Sequence, residues 1–79
     1  MAYLPMLGKN LRLARKKYFP FDDMRGFAIR LGVSRATLQK MEKGDLSVSL
    51  RRYYTAAELL GLQQPFGQLF SMEESLFDE

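Results

Sequence analysis

Arg35, Gln39 and Lys40 lie within six consecutive positions, and on a wheel of about 100° per residue they share one face with Ala36 and Lys43. Those residue types can read the edges of base pairs. Arginine and lysine donate to the O6 and N7 acceptors of guanine, glutamine can pair with adenine through two hydrogen bonds, and Ala36 or Thr37 can touch a thymine methyl. Lys43, nearer the far end of the helix, suits a phosphate. Thr37, Leu38 and Met41 fall on the opposite side. A polar stripe also has a plainer reading, a face that is polar because it meets water, and the punctuation at Ala28, Gly32 and Ser34 favours the first.

Other chemistries have little to work with. The chain of 79 residues has His 0 and Cys 0, which removes the commonest general base, thiol nucleophiles, disulfides and Cys-based zinc sites. Asp22-Asp23 and Glu73-Glu74 read as a helix start and a solvated tail rather than a carboxylate pair facing a cleft. Neither an enzyme nor a cofactor or metal site is expected. The apolar runs are short and MAYLPMLGKN lacks a charged-then-apolar signal pattern, so the expectation is a cytoplasmic protein without membrane insertion. The net charge of +3 conceals an asymmetry: every Lys and Arg precedes residue 53, whereas Glu73, Glu74, Asp78 and Glu79 crowd the end. A basic body suits a polyanion, because each cation set against a phosphate releases condensed counterions, and it equally suits an ordinary solvated surface.

Apolar residues recur at helical spacing and β-branched residues are scarce, so the chain reads as all-α with one core. Breaks at Phe19-Pro20-Phe21, Gly32, Gly44-Asp45, Gly61 and Gln64-Pro65 predict five short helices. The first spans about Leu7 to Lys17, with Leu7, Leu11 and Ala14 inward. The second starts after Asp22 or Asp23, either of which can cap it, and runs to Leu31. The third starts at the N-cap Ser34 and ends at Gly44. The fourth follows Ser49, with Leu50, Tyr53, Ala57 and Leu60 on its inner stripe and Gly61 closing it, and the fifth opens with Pro65. Residues 1–70 form the domain and 71–79 an acidic tail. Phe66, Leu69 and Phe70 should complete the core, and the aromatic connection Tyr18-Phe19-Pro20-Phe21-Asp22 either caps it or meets a partner. Phe70, Leu76 and Phe77 are candidates for an interface with a second copy or another protein.

Two helices joined by so short a turn need a small residue at their closest approach, supplied by Ala28. They also need one that enters the left-handed region, supplied by Gly32, while Leu31, Val33, Leu38 and Met41 fill the space between them. With LGKNLRLARKK before it and SLRRYYTAAELLGL after it, the run LGVSRATLQKMEKGD resembles the lambda-repressor or Cro type of helix-turn-helix, the Xre family, from about Leu7 to Leu62. The resemblance implies a compact five-helix DNA-binding domain and a transcriptional regulator, commonly a repressor. Such a protein binds double-stranded DNA as a homodimer, with two third helices about one DNA turn apart.

By position, the resemblance places Arg35, Ala36 and Lys40 at base contacts, with Gln39 beside them, and Ser34 at a site that caps the helix and touches phosphate. It also implies an ion pair between Arg15 and Glu42 tying the first helix to the third. Where many members carry a phosphate-binding glutamine at the start of the second helix, this chain has Met24, which offers only its backbone N–H. Arg51 and Arg52 stand in the first turn of the fourth helix, where positive charge opposes the helix dipole, and this marks them as further phosphate contacts. The run GVSRATLQKMEKGDLSVSL with its acidic end is also similar to HipB-like antitoxins, which repress their own operon and bind a HipA-like kinase toxin. A protein-interaction module that has kept the fold and lost DNA is the reading from another class.

Overall fold

Three of the helices end in the same way, and each ending fixes a corner of the fold. The structure, a computed structural model, describes residues 2–72. Among these it holds α1 (Pro5–Tyr18), α2 (Met24–Leu31), α3 (Arg35–Glu42) and α4 (Leu50–Leu60), then a 3-10 helix over Gln64–Gln68, and no strand. Gly32, Gly44 and Gly61 follow α2, α3 and α4 with φ of 78°, 75° and 72°. Behind each, the glycine and its successor donate back to the last turn: Gly32 to Ile29 and Val33 to Ala28, Gly44 to Met41 and Asp45 to Lys40, Gly61 to Glu58 and Leu62 to Ala57. This Schellman closure satisfies carbonyls the helix leaves free and reverses the chain within two residues. At the other ends, the Asp23 carboxylate accepts from the Gly26 N–H at 2.7 Å and the Ser34 hydroxyl accepts from the Thr37 N–H at 3.0 Å.

α1 begins two residues before the expected Leu7, at Pro5, and no side chain caps it. A backbone pairing far along the chain holds that end instead. The Leu4 N–H donates to the Gly44 carbonyl at 2.7 Å and the Leu46 N–H donates to the Ala2 carbonyl at 3.0 Å, which sets Tyr3 opposite Asp45 in an antiparallel bridge. The approach is close enough that a Cβ on Gly44 would collide with the Leu4 carbonyl, and one on Gly8 with the backbone of Glu42 and Gly44.

The core gathers Leu11 from α1, Phe27, Ala28 and Leu31 from α2, Leu38 and Met41 from α3, and Tyr53, Ala56 and Leu60 from α4. Phe27, Leu38 and Met41 are fully buried, and Leu7, Ala14, Phe19, Val33 and Phe66 pack around them. The expected filling between α2 and α3 is therefore present. On the inner stripe of α4, Ala56 takes the place expected of Leu50, which is 61% exposed because it sits in the first turn, beyond the edge of the core. Of the aromatic connection only Phe19 caps the core, edge-on to Phe27 at 5.5 Å, whereas Phe21 stands almost wholly in solvent. The expected fifth α-helix is the 3-10 helix Gln64–Gln68, with Pro65 in its first turn and Gly67 two residues on. Phe66 alone of its apolar set joins the core, since Leu69 is half exposed and Phe70 fully so. Leu76, Phe77 and the tail carboxylates lie outside the described residues.

Candidate nucleic-acid interface

α3 presents Arg35, Ala36, Gln39 and Lys40 outward, with Lys43 just past its end, while Leu38 and Met41 are buried beneath them. Among the described residues no side-chain hydrogen bond or ion pair occupies Arg35, Gln39, Lys40 or Lys43. The division of inner from outer residues is the one read from the sequence.

Three devices fix this short helix from behind. At its start the Ser34 hydroxyl accepts from the Thr37 N–H and donates to the Thr37 hydroxyl oxygen, also at 3.0 Å. With its own proton used there, Ser34 acts first as a cap, and the Thr37 hydroxyl keeps a proton for an outside acceptor. At its end, Arg15 Nε and Nη2 reach the two carboxylate oxygens of Glu42 at 2.5 and 3.2 Å, a two-point pair whose side chains are each only 7% exposed. The geometry suits the guanidinium fork and locks α3 to α1.

The third device is the loop after α3, whose break at Gly44-Asp45 was expected but whose side-chain links were not. The Tyr53 hydroxyl donates to the Asp45 carbonyl at 2.7 Å, and the Asp45 carboxylate accepts from the Ser47 N–H at 2.9 Å. Hydrogen bonding to Ser47, aided by the charge of Lys40, holds the Asp45 carboxyl below the usual carboxylate range. Burial first, and Asp45 second, push the Tyr53 phenol up. Gly44-Asp45 just past the end of α3 was a signal for this turn, but its partners Ala2 and Leu4 are distant in sequence and Tyr53 lies on the next helix.

The expected phosphate contacts fare differently. Lys43 is exposed at the end of α3. Met24 packs its side chain against the core, and the end of α2 it occupies already carries the Asp23 cap, so an incoming phosphate meets a carboxylate before it meets the Met24 N–H. Asp22 beside it is paired with Arg30, whose guanidinium also lies over the Phe19 ring. Arg51 and Arg52 are exposed in the first turn of α4, where neither an acidic residue nor a Ser49 cap bond is present. Arg51 is brought together with Leu50, Tyr54, Phe66 and Leu69 around an open groove.

Among the described residues no helix is long and apolar enough to cross a membrane. No family model, curated protein or solved structure matches the chain.

Proposed function

We propose that this protein is a sequence-specific DNA-binding transcriptional regulator, a repressor acting as a dimer. α2, the Gly32 turn and α3 form its helix-turn-helix, and α3 lies in the major groove of double-stranded DNA. The observation that carries the reading is the outward face of α3: Arg35, Gln39 and Lys40 have no protein partner among the described residues, yet the helix beneath them is capped, ion-paired and buried on its other side. Such fixing stabilises the fold whatever the face meets, and it also holds the three side chains in the register that hydrogen bonds to base edges require.

Arg35, Gln39 and Lys40 read bases, Ala36 packs against a thymine methyl, and Thr37 and Lys43 meet the flanking phosphates together with Arg51 and Arg52, while Ser34 caps the helix. A single reading helix covers few base pairs, and a second copy extends the site by one DNA turn. Of the interface candidates, fully exposed Phe70 is the one that lies among the described residues.

Titration of the chain against the DNA upstream of its own gene and against a scrambled duplex, across a salt series, tests the reading. Preference for the upstream duplex is expected, and Arg35→Ala should reduce it by about 1–3 kcal/mol. Arg51→Ala with Arg52→Ala should weaken binding to both duplexes and lower the salt slope by about 2. Equal weak binding to both, indifferent to Arg35→Ala, would overturn it in favour of a protein-interaction module.

A further inference from the structure

The groove beside α4 is built from apolar side chains that nothing in residues 2–72 covers. Leu50, Tyr54, Phe66 and Leu69 line it with the exposed Arg51, around a space of about 570 Å³. That is within the range of roughly 300–1,000 Å³ in which concave sites hold a ligand. The chain doubles back beside it. Leu69 (φ −59°, ψ 136°) is followed by Phe70 at φ 68°, and the Ser71 N–H donates to the Gln68 carbonyl at 2.9 Å, which makes a type II turn. Glycine is the usual occupant of the place Phe70 fills, so the chain turns immediately after Leu69, itself part of the groove wall.

The residues that come next complement it. Residues 73–79 contain the apolar pair Leu76 and Phe77 flanked by Glu73, Glu74, Asp78 and Glu79, whereas all twelve cations of the chain lie before residue 53. Seven extended residues reach about 23 Å, and the segment leaves the described structure only three residues beyond Leu69, itself a lining residue.

We propose that residues 73–79 dock in this groove of their own chain, with Leu76 and Phe77 against Leu50, Tyr54 and Phe66 and the flanking carboxylates around Arg51 and Arg52. This assigns Leu76 and Phe77 to the chain that carries them rather than to a second copy. A consequence, resting on the DNA-binding reading, is that the docked segment screens two phosphate contacts and lowers affinity for DNA.

Because the chain has no cysteine, Ser75→Cys in the full chain accepts a single nitroxide label. In isotope-labelled protein without DNA, the amide signals of Leu50 to Tyr54 and Gln64 to Leu69 should broaden, and adding Leu76→Ser and Phe77→Ser should restore them. Undiminished signals in the labelled chain overturn the docking. So does broadening that appears only when a nitroxide-bearing chain is mixed with an isotope-labelled one, since the occupant is then a second copy. In a duplex titration at low salt, the full chain with Leu76→Ser and Phe77→Ser should bind roughly fivefold tighter than the unaltered chain, with the gap closing as salt rises. Equal affinities alongside positive broadening overturn the screening. Absence of duplex binding by both overturns the DNA-binding reading and leaves the docking result standing.

Discussion

The two sides of this molecule use the same helix-ending glycine and differ in everything around it. On the α1–α3 side, Gly44 is pressed against Leu4, the Arg15–Glu42 pair is buried, Ser34 caps the helix, and the residues left outward on α3 are polar. On the side of α4 and the 3-10 helix, Ser49 makes no cap bond, cations occupy the first turn, and Leu50, Leu69 and Phe70 are left outward. The contrast separates a helix face braced from behind from one that is not. Tyr3, Leu4, Met6 and Leu13 are exposed on the first side too, but the outward face of its α3 is held in place and free to meet a ligand. The second exposes apolar area that favours cover by more polypeptide.

The largest expected effect falls on the braced side. Glu42→Ala strands a buried guanidinium and should cost about 3 kcal/mol or more, roughly 12–24 °C in the thermal midpoint of a domain this size. Arg15→Met with Glu42→Leu should cost far less, and equal losses in the two variants, followed by circular dichroism, would deny the pair its burial. Next comes Gly44→Ala, expected to cost about 2 kcal/mol from its left-handed backbone and the collision with Leu4. A loss no larger than that of Ala in place of exposed Gly67 would show that the N-terminal pairing is slack.

The capping serines sharpen the comparison on a smaller scale. Ser34→Ala should destabilise by about 1 kcal/mol and Ser49→Ala by a few tenths at most, in denaturant titrations run side by side. The mildest test changes only pH. Asp45 titrates below its unfolded range, so its contribution is complete above a pH of about 4 and is lost as pH falls through the folded value. Tyr53 is shifted up, so its contribution is complete below about pH 10 and is lost as pH rises through the folded value, when the phenol can no longer donate to the Asp45 carbonyl. Asp45→Asn should flatten the acid limb and Tyr53→Phe the alkaline one.

What could be read from the sequence was local. Asp23, Gly32, Ser34 and Gly61 act through atoms three or four residues away, and their types alone place the ends of α2, α3 and α4. The inner and outer faces of α3 follow from periodicity in the same way. The start of α1 did not, because Leu4 caps nothing and the backbone that holds it belongs to Gly44 and Leu46. Leu50 kept the period of its helix but lies one turn beyond the core, a fact of tertiary placement rather than pattern. In the 3-10 helix, Pro65 signalled a beginning, while Gly67 so soon after it gave little to sustain an α-helix. The Tyr53–Asp45 link behind α3 joins a helix to a loop, and neither residue announces the other.

The pairing of Ala2 and Leu4 with Leu46 and Gly44 also sets an order of events. Its ends are about forty residues apart in sequence, whereas α2 and α3 meet across a turn of three. A chain leaving the ribosome can therefore close α2 on α3 as soon as both exist and pair Arg15 with Glu42, but the start of α1 has no partner until residue 46 has emerged. Closing that long loop comes late and gains little before the transition state. Weakening the Leu4–Gly44 contact should thus leave the folding rate nearly unchanged and speed unfolding, so this seam sets how long a folded molecule lasts more than how fast one forms.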